Sequence, residues 1–419
     1  MARSQEAAAP QPAAPLRFAA LRHPGYRAYF ATTAAAMMAD NIEHVISYWV
    51  IFEKFHSPEL GGFAVISHWV PFLLFSVYSG YLADRFDPRR VIQLGMAFFM
   101  FVSLAWGLLF VTDTLEVWHA CVLLVIHGFA GVLWGPASQM LIHDIVGPAH
   151  LQSAVRLNAT ARWLGIFLGP AVGGGLMLAL GPAIGILINA LIYLPIVFWL
   201  WKAPYGPRFR KEPPLPVRAV RGLGEIAATI RDVAGNRTIV SMILLAGSAA
   251  FFVGHGYQPQ MPGFAHDLGH GDAGLLYSML LGANAAGAFI AGIALESRGL
   301  LPPNPRTALI LAVIWCVAIV GFATSELYFI ALPLLFVAGF LELSFNAMAM
   351  TLVQLQAPPN MRGRVIGLYN MGALGLRAFS GITIGVVGGL IGIHWSLALS
   401  AMVLLAIIIT LLTFSTRPA

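Results

Sequence analysis

Charge is what this sequence has least of. Asp, Glu, Lys and Arg make up 10% of its 419 residues, apolar residues make up 58%, and the mean hydropathy is +0.79. A soluble domain carries roughly a quarter charged residues, so this deficit excludes a soluble globular fold. Cysteine is nearly absent. Cys121 and Cys316 are the two in the chain, and both sit inside apolar runs, which excludes a disulfide framework and a cysteine metal site. Long polar stretches are also scarce, apart from an Ala/Pro-rich basic start and one segment from Lys202 to Arg237. No Ser-His-Asp, Cys-His or metal-ligand spacing recurs near one helix face, so neither an enzyme nor a metal site is expected. No cleavable signal peptide is expected, because the first apolar run is long enough for a full span.

Long apolar runs fill the rest. They predict an all-α integral membrane protein with twelve spans near 28–52, 60–83, 90–111, 117–142, 153–180, 182–201, 238–262, 273–296, 306–324, 329–354, 365–390 and 396–414. Residues 1–26 read as a disordered basic tail, 27–201 as an N-terminal six-helix bundle, 202–237 as a linker and 238–419 as a C-terminal six-helix bundle. Within the linker, RGLGEIAATIRDVAG predicts an amphipathic surface helix. Of the 24 Lys and Arg, Lys54 alone falls in an odd-numbered loop. That asymmetry places the even loops and both termini in the cytoplasm. It also accounts for the net charge of +6 without invoking nucleic acid.

One charged turn stands out. GYLADRFDPRRV, Gly80 to Val91, puts Asp84, Arg85, Arg89 and Arg90 within seven positions between two spans. It resembles the loop between helices 2 and 3 of the major facilitator superfamily, of the form G-x-L-[AD]-D-R-x-x-R-R. Gly80, Leu82, Ala83, Asp84, Arg85, Arg89 and Arg90 match, with one extra residue before the arginine pair. The resemblance implies two six-helix repeats around a central cavity, and a latch on the cytoplasmic side built from Gly80, Asp84, Arg85, Arg89 and Arg90. Internal similarity agrees with a duplication. A shift of 212 residues takes Gly80 to Gly292, Asp84 to Glu296, Asn158 to Asn370 and Gly169 to Gly381. The copied turn keeps Arg298 but lacks the arginine pair.

Span 1 carries the richest polar group, DNIEHVIS, with Asp40, Glu43, His44 and Ser47 on one helix face. Carboxyls at membrane depth are costly unless they face a wet cavity, so these predict a proton-coupling and substrate-contact site. Glu342 near the centre of span 10 is a second candidate proton site or a ligand for a cationic cargo. Arg377 in span 11 must find an anion, in Glu342, in span 1 or in the cargo. His127 in span 4 stands where many proton antiporters of the family have an arginine. Span 5 reads G-x-x-x-G-P-x-x-G-G over Gly165, Gly169, Pro170, Gly173 and Gly174. Small residues at this spacing allow close helix packing, and the pattern resembles the helix-5 motif of exporting members. The longer form of that motif would place a further glycine at Arg156. NAT at Asn158 and NRT at Asn236 match glycosylation acceptors but fall in a span and a cytoplasmic loop.

LRHPGYRAYF, FHSPELGGF and RGRVIGLYNMG also look like the twelve-helix drug:proton antiporter group, which includes macrolide and enterobactin exporters. The resemblance implies a bacterial inner-membrane exporter of a small amphipathic or hydrophobic compound (a drug, toxic metabolite or siderophore). It would be driven by the proton gradient, need no cofactor and act as a monomer in the lipid bilayer. The alternative on the same fold is a proton-coupled importer of a metabolite or ferric chelate. A sensor or membrane enzyme fits less well.

Overall fold

Helix after helix starts with a capping side chain followed by proline. Ser57, Asp87 and Asn304 each accept a hydrogen bond from a backbone N–H two or three residues on, ahead of Pro58, Pro88 and Pro305. The cap satisfies a free helix donor, and proline at the first position loses nothing because its N–H would be unpaired there. Asn236 caps a helix in the same way, accepting from Ile239 N–H at 3.1 Å, which gives this NRT sequence a structural role.

The computed structural model describes residues 18–209, 222–269, 275–298, 304–358 and 362–416, and among these every regular element is helical. The helices are α1 (Pro24–Phe55), α2 (Pro58–Arg85) and α3 (Pro88–Val111), followed by a continuous helical stretch, Val117–Ile192. That stretch breaks at Gly147 (φ 68°) and Gly181 (φ 77°). Only glycine takes these angles at little cost, and the breaks separate α4 (117–146), α5 (148–180) and α6 (182–202). The predicted surface helix is α7 (Gly222–Val233). Then come α8 (Arg237–Phe252), α9 (Met261–Asp267), α10 (Leu275–Arg298), α11 (Pro305–Ala323) and α12 (Tyr328–Gln356). The next helix, α13, runs from Arg362 to Ile391 and contains two π-helical turns, Met371–Gly375 and Gly381–Val386. The last is α14 (Ile393–Thr416).

Nine segments among the described residues are long and apolar enough to cross a membrane, one of them Leu157–Phe209, which folds back at Gly181. Large apolar side chains such as Leu74, Leu108, Phe329 and Leu390 face outward, as a lipid environment requires. Within the expected disordered tail, residues 18–26 are structured. Ala19–Arg22 forms a 3-10 turn with Ala19 and Ala20 buried, and Ala20 N–H donates to Ser153 Oγ at 3.2 Å.

Glycine seams bring helices together. Gly165, Gly169 and Gly173 of α5 lie against Met37, Asn41 and Val45 of α1, where a Cβ would meet those residues. Gly62 of α2 abuts the backbone of Gly381 and Gly385 in α13 and closes the chain's two halves together at one end. Nearby, Gln260 donates to Pro58 O at 2.8 Å, and Tyr277 Oη donates to Val45 O at 3.0 Å. The charged turn lies at the opposite end of α2.

Candidate functional site

Between the halves lies a cavity of about 480 Å³. Its walls come from α1 (Asn41, His44), α5 (Arg162, Trp163), α12 (Glu342) and α13 (Arg377), with further residues from α10. The lining extends to Ala159, Met350 and Tyr369. It therefore runs from mid-helix toward the end that carries the charged turn, while the other end is shut by the glycine contact.

The span 1 group divides. Asn41 and His44 reach the cavity, but Asp40 and Glu43 are 8% and 2% exposed and point into the N-terminal bundle. The expected wet setting for both acids does not hold, because α3, α4 and α6 close over that face. His127 of α4 sits between them. Its Nδ1 lies 2.7 Å from Glu43 Oε1. Its Nε2 lies 3.1 Å from Asp40 Oδ1 but makes no aligned hydrogen bond. Ser103 Oγ donates to Glu43 Oε2 and accepts from Asn189 Nδ2 at 3.2 Å. His44 Nδ1 is 3.9 Å from Asp40 Oδ2. His68 of α2 completes the group, its ring centroid 5.2 Å from that of His44.

Arg377 does not pair with Glu342. It donates to its own helix at Ala373 O (3.0 Å), approaches His255 Nε2 at 2.9 Å, and lies 5.0 Å from the Trp69 ring centroid. The π-helical turns before and after Arg377–Ser380 widen the helix here, as such turns often do at functional sites. Among the described residues no hydrogen bond or ion pair engages the Glu342 carboxylate or the Arg162 guanidinium. Arg162 is exposed into the cavity. Sequence reasoning missed it, although a cation inside a predicted span was the signal that singled out Arg377. Trp163 also lines the cavity.

The described residues include part of the charged turn. Gly80, Asp84 and Arg85 lie in the last turns of α2, but the side chains of Asp84 and Arg85 are outside the described residues, as are those of Glu296 and Arg298. Arg90 is exposed and donates to Gln93 Oε1 at 2.7 Å. Arg89 is buried within the N-terminal half. It clasps Asp87 (Nη2 to Oδ2, 2.6 Å), donates to Ala203 O at 2.5 Å, and lies over the Phe209 ring. Burial opposes ionisation of Asp87, but hydrogen bonds from the Arg89 side chain and backbone hold its carboxyl below the usual range. At the far end Lys54, the exceptional odd-loop cation, meets Asp113 at 2.6 Å, and its hydrogen bond and charge lower that carboxyl too.

A family model described as "Transmembrane secretion effector" matches residues 15–419. The chain belongs to this family of the major facilitator superfamily. It is 21% identical over 184 residues to the staphyloferrin A transporter of Staphylococcus aureus (strain NCTC 8325 / PS 47), covering 42% of this chain and 46% of that one. It is 27% identical over 161 residues to the uncharacterized MFS-type transporter YfiS of Bacillus subtilis (strain 168), covering 36% and 37%. These matches span less than half of either relative. Among solved structures, a bacterial homologue of the human lysosomal transporter Spinster, inward-facing and unoccupied, superposes with a TM-score of 0.67 at 14% identity, covering 96% of this chain and 97% of that one. At this identity the likeness concerns the fold. Members of the superfamily are transporters and not enzymes, and the chain is a multi-span membrane protein of that family. The α5 glycines form a packing seam on α1, and Pro170 of the same motif lines the cavity.

Proposed function

We propose that this transporter is a proton-coupled exporter of a small amphipathic anion, working by alternating access. Counting α1, α8 and both arms of Leu157–Phe209 with the other apolar helices supports twelve spans in two six-helix repeats, with cargo held between them. The observation that carries the reading is the pair of arginines, Arg162 from one half and Arg377 from the other, in one cavity and without a carboxylate partner. A guanidinium at membrane depth calls for an anion, and among the described residues neither makes an ion pair. Trp163 and the apolar lining suit the rest of an amphipathic molecule. Glu342, with no direct cationic partner, is free to take up and release the coupled proton, whereas Asp40 and Glu43 are already engaged by His127.

The basic turn supports a cytoplasmic open end for the cavity, which makes this an inward-facing state in the bacterial inner membrane with both termini inside. The secretion description of the family supports export, and the staphyloferrin A transporter among its relatives keeps siderophores within the cargo class. Cargo shifts the access equilibrium only by its differential affinity for the two states. The transporter acts as a monomer.

The test uses everted vesicles from a pump-deficient strain, a panel of acidic, neutral and cationic dyes and drugs with catecholate siderophores, and an imposed pH gradient. Gradient-driven uptake of acidic compounds is expected, lost in Glu342→Gln. Accumulation by intact cells instead would reverse the direction. Equal loss of all cargo classes in Arg162→Ala would make that arginine structural and sink the anion reading.

A further inference from the structure

Three histidines from three helices meet beside the cavity: His44 of α1, His68 of α2 and His127 of α4. Each offers a ring nitrogen, and these nitrogens lie within 4.8 Å of one another. The ring centroids are 4.8 to 5.4 Å apart. One ring nitrogen, His68 Nδ1, is buried and has no hydrogen-bond partner, and His127 Nε2 faces Asp40 Oδ1 at 3.1 Å without an aligned hydrogen bond. A buried polar atom left unpaired is costly, and one inside a histidine cluster calls for an explanation.

Glu43 supplies a second clue. It faces His127 Nδ1 at 2.7 Å and is itself held by Ser103. A carboxylate opposite Nδ1 fixes a proton there, so Nε2, which faces Asp40, is the nitrogen a metal would take, displacing its proton on binding. This carboxylate–histidine arrangement is the one that orients imidazole ligands toward a metal. Asp40 brings an oxygen to the same place, with Oδ1 3.1 Å from His127 Nε2 and Oδ2 3.9 Å from His44 Nδ1. A dication would also balance the two carboxylates, Asp40 and Glu43, buried at membrane depth.

We propose that His44, His68 and His127, with Asp40 as fourth ligand, bind a divalent transition-metal ion of the zinc class in the wall of the transport cavity. Three imidazoles and one carboxylate suit Zn²⁺, Co²⁺, Ni²⁺ or Cu²⁺ and not Mg²⁺ or Ca²⁺. Metal–nitrogen bonds of about 2.0–2.1 Å in a tetrahedron put ligand atoms about 3.3 Å apart, so the rings close inward on binding. Entry is from the cavity, because His44 lines it while His68 and His127 stand behind. The ion therefore exchanges with the cavity and is not sealed into the fold. The proposal is independent of transport direction and of the anion reading.

The experiment uses the full-length protein in detergent, with any affinity tag removed. Zn²⁺ is titrated calorimetrically in excess Mg²⁺, and Co²⁺ serves as an optical probe. One Zn²⁺ per chain is expected, and Co²⁺ should give the intense visible bands of four-coordinate nitrogen ligation. His68→Asn should weaken Zn²⁺ at least about 100-fold, and Glu43→Gln about 10- to 100-fold, as for an outer carboxylate. Pale six-coordinate Co²⁺ spectra, no Zn²⁺ binding, or equal binding by wild type and His68→Asn would overturn the site. If His68→Asn does not fold, the wild-type Co²⁺ spectrum decides alone.

Discussion

Arg162 and Arg377 show how differently one residue type is used at one depth. Arg377 is steadied by His255 and by the Trp69 face, which leaves a positioned guanidinium edge. Arg162 has no such support and is the more adaptable contact. A hydrogen bond to a charged group contributes about 1.5–3 kcal/mol, so Arg162→Ala should weaken binding of acidic cargo about 10- to 100-fold and leave neutral cargo little changed. Competition binding with the purified protein checks this. At the membrane surface, Asp87 gives a pH signature. Its native carboxyl lies below the unfolded value of about 3.9. Its contribution to stability is therefore fully present above that pH and lost as pH falls through the lowered native value. Asp87→Asn should melt below the wild type at pH 7, and the gap should close below about pH 4 in thermal unfolding scans.

Elements are placed by what they lack as much as by what they carry. The α5 glycines let α1 approach closely enough for Asn41 and His44 to share a cavity with Arg162. A larger side chain at that seam must push α1 away, and overpacking of this kind costs about 1–3 kcal/mol. Gly169→Leu should lower the thermal midpoint and reduce transport. Gly175 meets nothing within reach of a Cβ, so Gly175→Ala should leave both unchanged, which separates a packing seam from a general glycine requirement. The three-histidine cluster is likewise a product of elements. Its members are 24 and 59 residues apart along the chain (44 to 68, 68 to 127), and only the packing of α1, α2 and α4 joins them.

For the whole molecule, the decisive contact is Gly62 against Gly381 and Gly385, which seals one end while the cavity leads toward the other. A bulky residue there should oppose closure. In a background lacking Cys121 and Cys316, spin labels at Glu53→Cys and Asp267→Cys report on this end. Gly385→Leu should lengthen the distance between them and shift the population toward the state open on that side. An unchanged distance distribution would mean that the seal lies elsewhere.

Much of the architecture was legible in the sequence because a membrane leaves few options. Apolar length gives spans, Ser/Asp/Asn-Pro pairs give their starts, and loop arginines give a predicted orientation. The sequence also determined which residues are chemically exceptional: Asp40, Glu43, His127, Glu342 and Arg377 are anomalous in apolar runs wherever they pack. Their partners were decided by tertiary structure alone. A helical wheel fixes which residues share a face but not what that face meets. The expected cavity acids Asp40 and Glu43 therefore turned into the N-terminal bundle, Arg377 found His255 and not Glu342, and His68 joined two histidines from other helices. Contacts between distant segments depend on how the helices cross, and that is set by the small residues at each seam acting together.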